Sequence, residues 1–285
     1  MEQRGPRPRL NRRIPGRPRR PPLLDMSDPV RDLFPRPKPV VAVIHAGPSP
    51  GVPGCRSVRA AVDRAVAEAR LLRELGVDGL LVENAHDRPA LDDDETGPEV
   101  VAYMTHVAVA VRRNAGRLPV GVRVLEAERA ALAVAHAARC HFVRVDGWAE
   151  DPARAARFHR YRARLDADEI PVFADLRPPS ADDVFDLVAA TEDARPDALV
   201  VLGPAVGQPS EPGVVEAASD AATLPLFCGG GIDGDNLLDV IDAADGFLVG
   251  SGLKEARRWQ APVSEEAVRR LVGAVEYARG QEVRS

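Results

Sequence analysis

Short apolar segments recur eight times after residue 38, and stretches with helical periodicity lie between them. The apolar segments show no sustained alternation with polar residues, which is typical of parallel strands buried on both faces. The predicted strands are Val40–His45, Gly79–Glu83, Val120–Val124, His141–Val145, Pro171–Asp175, Ala198–Leu202, Leu226–Cys228 and Gly246–Gly250.

Val58–Leu75 is the clearest of the predicted helices. Val62, Val66 and Ala69 fall on one stripe of this segment, and Gly76 follows as a helix-ending residue. The other predicted helices are Glu99–Asn114, Ala127–Ala138, Ala153–Leu165, Ala181–Thr191, Glu211–Ala221, Asp235–Ala243 and Ser264–Ala278.

Eight consecutive βα units predict an α/β fold in which residues 39–285 form a single (β/α)8 TIM barrel. A doubly wound open sheet is the alternative, but it needs a switch point that the pattern does not display. Residues 1–38 are rich in proline and arginine without an apolar period, which predicts a disordered basic tail.

The charge is distributed unevenly between these two parts. The tail holds 11 basic and 4 acidic residues, so the remaining chain carries 27 basic and 39 acidic residues, a balance of −12. An acidic barrel disfavours a nucleic-acid-binding surface, and only the tail could contact nucleic acid. The 3 widely spaced cysteines fit a reducing cytoplasm, and no apolar run is long enough to span a membrane.

The predicted barrel mouth is unusually rich in ionisable residues. In a TIM barrel the active site lies at the carboxyl ends of the strands, so the last residue of each strand is the one that matters. We predict His45, Glu83 and Asp175 as catalytic acid, base or proton-transfer groups. The alternative is that the carboxylates only form salt bridges with rim arginines. The predicted substrate-binding residues are Asn84, Arg123, Arg144 and Asp146.

Glycine clusters follow the seventh and eighth predicted strands. The loops after these strands are where TIM barrels usually bind phosphate, and glycine lets backbone N–H groups approach an anion closely. The alternative is that the glycines serve only tight turns. The predicted phosphate-binding residues are Gly230, Gly231, Gly250, Ser251 and Lys254.

Lys254 stands out because the chain has 36 arginines and only one other lysine, Lys38. Its position beyond the last strand favours pairing with phosphate or carboxylate over Schiff-base chemistry. No pair of candidate ligands has diagnostic metal-binding spacing, so the sequence predicts no metal site and no required cofactor. A phosphorylated substrate could bring Mg²⁺ with it.

The chain resembles the BtpA/SgcQ family of TIM-barrel proteins across residues 40–280. The resemblance rests on many short stretches in order, among them Val43-Ile44-His45, Val82-Glu83-Asn84, Phe142-Val143-Arg144-Val145, Ala174-Asp175 and Ala244 through Lys254. It implies an enzyme-like TIM barrel, in a family that includes a factor linked to photosystem I assembly or stability. Arg123 and Asp146 differ from the asparagines usual in the family, which implies a different substrate.

These features predict an enzyme that acts on a small phosphorylated sugar or nucleotide-like metabolite. Cleavage or transfer of a glycosidic C–N bond on a ribosyl phosphate would use such groups. Isomerisation or aldol-type cleavage of a sugar phosphate would use the same groups, so the reaction type stays open. A hypothesis of another class is a non-catalytic assembly or stability factor. A homo-oligomer is compatible with either hypothesis.

Overall fold

The computed structural model describes residues 29–149 and 151–282 and contains a closed barrel of eight parallel strands. The strands follow one another around the barrel in chain order, and the first strand pairs with both the second and the eighth. They are β1 (Val40–His45), β2 (Gly79–Glu83), β3 (Val120–Arg123), β4 (Phe142–Val145), β5 (Val172–Leu176), β6 (Ala198–Val201), β7 (Leu226–Gly229) and β8 (Gly246–Val249). The predicted fold class is confirmed.

Helices surround the barrel, and none within the described ranges is long and apolar enough to cross a membrane. They are α1 (Pro29–Leu33), α2 (Val58–Glu74), α3 (Pro98–Asn114), α4 (Glu128–Ala138), α5 (Pro152–Arg164), α6 (Val184–Asp193), α7 (Pro212–Ala221) and α8 (Glu265–Glu282).

The predicted helix Asp235–Ala243 is wrong, because only the 3-10 turn Leu237–Asp239 forms there. Asp233 Oδ1 accepts hydrogen bonds from the backbone N–H groups of Asp235 and Asn236. Asn236 Oδ1 accepts one from the backbone N–H of Asp233 in return. Such local side-chain bonds compete with a helical backbone and favour a turn.

The barrel encloses an aromatic core below its mouth. Phe142, Phe173 and Phe227 point inward, and the ring centroids of Phe173 lie 4.8 and 5.1 Å from those of the other two. A Cβ atom at Gly121 would lie 2.3 Å from the Phe142 ring, so the absence of a side chain on β3 makes room for that ring. The barrel is therefore a packed interior and not a pore.

Residues 29–38 extend this core, although we predicted them to belong to a disordered tail. Val30 and Phe34 are buried, and the Phe34 ring centroid lies 6.0 Å from that of Phe142 and 5.9 Å from that of Phe227. This apolar stripe spans a single turn among prolines and arginines, which is too short for a periodicity to indicate it. Residues 1–28 of the predicted tail lie outside the described residues.

Replacing Phe34 by alanine tests whether this segment closes the bottom of the barrel. We expect Phe34→Ala to lower the free energy of unfolding by about 3–5 kcal/mol, because it empties a buried aromatic site. The neighbouring Leu33→Ala is the control. Leu33 is only half-buried, so this substitution should lower the free energy of unfolding clearly less. Urea denaturation measures both, and equal losses would contradict the role assigned to Phe34.

Candidate active site

The upper layer of the barrel interior is charged on one side. Side chains along a strand alternate between its two faces. The inward side chains of β2 are therefore Leu81 and, nearer the mouth, Glu83; those of β5 are Phe173 and Asp175. Glu83 is the register partner of Arg123 on β3 and of His45 on β1. The strands therefore bring the predicted catalytic residues together at one end of the barrel.

Arg123 lies at the centre of this charged layer and contacts three carboxylates. Its Nη1 donates to Glu83 Oε2 at 2.8 Å, and its Nη2 lies 3.4 Å from Asp175 Oδ2. The same guanidinium donates two hydrogen bonds to Asp146. The four side chains are 2–11% exposed, so their charges are paired almost out of contact with water.

Arg144 completes the cluster by binding Asp175 in a bidentate manner. Its Nε and Nη2 donate to the two carboxylate oxygens at 2.7 and 2.9 Å, and its Nη1 lies 3.7 Å from Glu83 Oε2. We call these five residues, Glu83, Arg123, Arg144, Asp146 and Asp175, the charged cluster. With every group ionised, two arginines and three carboxylates leave one net negative charge. The salt bridges expected as the alternative are thus present, in the place predicted for catalysis.

The carboxylates of the charged cluster differ in acidity. Burial alone would raise the pKa of Glu83, but Arg123 and Arg144 together lower that pKa to about 2. The pKa of Asp146 is lowered for the same reason, because Arg123 outweighs the effect of burial. Burial raises the pKa of Asp175, although Arg144 and Arg123 oppose it. Environments that separate the pKa values of neighbouring carboxylates are typical of catalytic sites.

His45 lies beside the charged cluster with one ring nitrogen already engaged. Its Nδ1 is 2.9 Å from the backbone carbonyl oxygen of Trp259, which can only accept a hydrogen bond. The neutral ring therefore carries its proton on Nδ1 and leaves the Nε2 lone pair available next to Gly250. Burial lowers the pKa of His45, with Glu83 acting in the opposite direction, so the ring is neutral near pH 7.

The glycine turns after β7 and β8 face the same cavity as the charged cluster. Gly230 and Gly231 adopt φ of +68° and +74°, and a Cβ at Gly231 would lie 2.4 Å from the backbone nitrogen of Pro209. The turn itself thus requires glycine, which agrees with the alternative that these glycines serve tight turns. In the part of the chain that the structure describes, no hydrogen bond is recorded from the backbone N–H groups of Gly231 and Ser251 to a protein acceptor.

The cavity at the mouth has a volume of about 340 Å³ and is lined by the charged cluster, His45, Gly230, Gly231, Gly250 and Ser251. We call it the main cavity. Sequence reasoning missed Arg88, Arg177 and Trp259, which also line it. Arg88 and Arg177 follow polar strand ends within a few residues, a signal that could have drawn attention to them. No feature of the sequence indicates that Trp259, which lies ten residues after the end of β8, contributes to the cavity.

Lys254 does not line the main cavity, although we predicted it to bind phosphate there. Its ammonium group donates to Glu68 Oε2 on α2 at 2.6 Å, and its side chain is 2% exposed. The backbone after Ser251 turns through a 3-10 segment, which carries the lysine behind the cavity wall towards α2. Lys254 instead lines a second cavity between α2 and the loop after β8.

Asn84 also lies outside the main cavity and joins loops instead of binding substrate there. Its Nδ2 donates to Asp87 Oδ2 at 3.0 Å, and its Oδ1 accepts from the backbone N–H of Leu125 at 2.8 Å. Asp87 in turn accepts hydrogen bonds from the backbone N–H and the hydroxyl group of Ser49, at 2.9 and 2.6 Å. These contacts tie together the loops that follow β1, β2 and β3.

Among the described residues, no group of three or more His, Cys, Asp or Glu side chains is arranged to hold a metal ion. The mouth carboxylates are engaged by arginines instead. That no cofactor is required, and that Mg²⁺ accompanies a phosphorylated substrate, stay predictions.

Comparison with known proteins assigns a family model to most of the chain. The model of the BtpA family matches residues 36–277. A protein of Archaeoglobus fulgidus is 32% identical over 251 residues, which cover 83% of this chain and 98% of the relative. The photosystem I biogenesis protein BtpA of Synechocystis sp. is 34% identical over 233 residues, which cover 76% of this chain and 80% of the relative.

Solved structures with the same fold are distant in sequence. The (S)-3-O-geranylgeranylglyceryl phosphate synthase of Thermoplasma acidophilum superposes with a TM-score of 0.60 at 15% identity, covering 84% of this chain and 94% of that one. The 3-hexulose-6-phosphate synthase of Salmonella typhimurium gives 0.58 at 14% identity, covering 84% and 99%. At these identities the likeness shows the barrel fold.

Removing the central guanidinium tests whether the charged cluster depends on it. We expect Arg123→Met to lower the free energy of unfolding by about 3–5 kcal/mol at pH 7, because it leaves three buried carboxylates with one arginine. The matched control is Arg269→Met, whose ion pair with Glu265 is exposed and should be worth less than about 0.5 kcal/mol. Chemical denaturation distinguishes the two, and similar losses would show that Arg123 does not organise the site.

The lowered pKa of His45 predicts a pH dependence of stability. The pKa of a histidine in the unfolded chain is about 6.5. On acidification the unfolded chain therefore binds a proton before the folded one does. The free energy of unfolding should therefore fall as the pH drops from about 7 to about 5. His45→Gln should make this fall shallower, while His86 and His141, whose pKa values burial also lowers, keep a remainder. Unfolding curves across this pH range provide the test, and an unchanged slope in the variant would contradict it.

Proposed function

The chain belongs to the BtpA family, and from the geometry of its barrel mouth we propose that it is an enzyme acting on a small phosphorylated sugar or nucleotide-like metabolite. One observation carries this proposal. Backbone N–H groups of two glycine turns, unpaired within the described protein, line the same cavity as His45 and the charged cluster. A group that binds an anion and a group that moves protons thus face one substrate-sized space.

The glycine side of the main cavity is suited to a phosphate group. Gly231, Gly250 and Ser251 offer backbone N–H groups beside Gly230, and N–H groups that converge from turns form an anion-binding concavity. Arg177 lines the same cavity and adds a positive charge. Counting all ionisable side chains of the lining except His45, five arginines face four carboxylates, which also favours an anionic ligand.

The charged cluster is suited to stabilising a cation that develops during the reaction. Its carboxylates hold one net negative charge in a site shielded from water, where electrostatic interactions are strong. Hydrogen bonds from Arg123 to Glu83 and from Arg144 to Asp175 keep these two carboxylates fixed in position. Such preorganised charge would favour a transition state with oxocarbenium character over the neutral ground state.

His45 supplies the base. Cleavage of a ribosyl C–N bond fits these groups as follows: the bond breaks with its electron pair leaving on nitrogen, which takes a proton from solvent. A water molecule bonds to the ribose C1 and gives its proton to Nε2 of His45, which then releases it to solvent. Enolisation of a sugar phosphate would use the same base and the same phosphate site, so isomerisation or aldol-type cleavage is the alternative within this class.

A second candidate function comes from the name of the Synechocystis relative, a photosystem I biogenesis protein. A barrel of this family could assist the assembly or stability of another protein without catalysis. The buried charged cluster favours the enzyme, because unneeded charges in a barrel mouth cost stability. A protein that co-purifies with the chain, together with no response to any phosphorylated metabolite, would favour the assembly role.

Thermal stabilisation by ribose 5-phosphate and nucleoside monophosphates tests the proposed site. Ligand at 100 times its dissociation constant should stabilise the protein by about 2.7 kcal/mol. Gly250→Ala should weaken this binding at least about tenfold, since its Cβ would lie 3.1 Å from His45 Nε2 inside the cavity. Gly213→Ala is the matched control, because a Cβ there meets nothing within 4 Å. Equal stabilisation by ribose and ribose 5-phosphate would refute a phosphate site.

A further inference from the structure

A second cavity of about 300 Å³ lies between α2 and the loop that follows β8. We call it the side cavity. Its lining includes Glu68 and Leu71 of α2, together with Lys254 and Val263 of the loop. His45 and Trp259 line both the side cavity and the main cavity. The two spaces therefore share a wall that contains the base of the proposed reaction.

The inner end of the side cavity carries hydrogen-bonding capacity that the protein does not use. The Lys254 ammonium group has three N–H donors, and one of them is bound to Glu68 Oε2 at 2.6 Å. No acceptor among the described residues is recorded for its other two N–H groups. Likewise, no donor among them is recorded for Glu68 Oε1. The side chains of Lys254 and Glu68 are 2% and 13% exposed, so a ligand with a matching acceptor and donor would pair with these groups in a site largely shielded from water.

The walls of the side cavity are mostly apolar and partly aromatic, and Arg64, His86 and Gln260 are the further polar residues of the lining. Leu71, Trp259 and Val263 are partly buried, with Ala261 and Pro262 completing this side of the lining. An indole ring offers a flat surface against which a planar ligand can pack. A ligand that satisfies this cavity is therefore flat, largely apolar, and carries a donor and an acceptor next to each other at one edge.

We propose that the side cavity binds a planar heterocycle whose ring N–H is adjacent to a carbonyl group, as in uracil or hypoxanthine. The ring N–H donates to Glu68 Oε1, and the carbonyl oxygen accepts from Lys254 Nζ. The inference deepens the proposed function and rests on it for the role of this ligand. His45 and Trp259 line both cavities, so a heterocycle bound in the side cavity lies next to the base of the proposed reaction.

Lys254 is suited to this role for a physical reason. Burial lowers the pKa of its ammonium group, while the charge of Glu68 opposes that effect and favours the protonated donor. The ammonium is compact, so it donates from the end of the cavity without filling it as a guanidinium would. The proposal thus gives a specific role to Lys254, the only lysine in the sequence after Lys38.

Calorimetric titration of the full chain with uracil tests the assignment. The wild-type protein should bind uracil, and 1,3-dimethyluracil, which keeps the ring but lacks both N–H groups, should bind at least about tenfold more weakly. Leu71→Trp should abolish uracil binding by filling the side cavity. The control Leu238→Trp adds the same ring at an exposed position outside both cavities and should bind like the wild type.

Ribose 5-phosphate separates this inference from the proposed function. Leu71→Trp should keep the thermal stabilisation by ribose 5-phosphate, because Leu71 does not line the main cavity. Uracil binding that is lost in Leu71→Trp, in a protein that ignores ribose 5-phosphate, would support the heterocycle site and refute the phosphorylated substrate. No binding of uracil or hypoxanthine, or uracil binding that survives in Leu71→Trp, would overturn the assignment of the side cavity.

Discussion

The pairing of charges inside the barrel mouth is the constraint on which the rest of this structure depends. Two guanidinium groups and three carboxylates lie where other parts of the barrel bury apolar side chains, and removing charge from water is costly unless each group finds a partner. Arg123 meets Glu83 because β2 and β3 align them as register partners. A slip of one residue between these strands would turn one side chain to the outer face and leave its partners unpaired.

The barrel divides its interior between stability and chemistry. Below the charged cluster the interior is aromatic, and Phe34 from the segment before β1 packs against Phe142 and Phe227. Aromatic packing tolerates no water and offers no reactive group, so it supports the strands whose other ends hold the charges. The loops above are fixed as well, since Asp87 links the loop after β1 to Asn84 and hence to the loop after β3. The mouth is thus held from below and from its rim.

Much of the fold and part of the candidate site follow from the sequence. The strand positions could be predicted because each is a short apolar run, and in a barrel their last residues must converge, which placed Glu83 and Asp175 correctly. The fate of Lys254 could not be predicted, because it depends on how a 3-10 segment turns and on a glutamate 186 residues away. The position of Asn84 outside the main cavity could not be predicted for a similar reason, since its partners lie in loops whose conformations no periodicity indicates. Trp259 belongs to the site through both its backbone and its ring, and neither has a local signature.

The hydrogen bond between His45 and the carbonyl group of Trp259 spans 214 residues of sequence. It makes the loop after β8 part of the acid–base apparatus, because that carbonyl decides which nitrogen of the ring holds the proton. The same loop closes the side cavity and forms a β-bridge between Lys254 and Val263. Relatives that shorten or lengthen this loop would alter the tautomer of the histidine and the shape of the neighbouring space in a single step. Divergence of chemistry within such barrels can therefore begin in a loop that supplies no proton-transferring side chain itself.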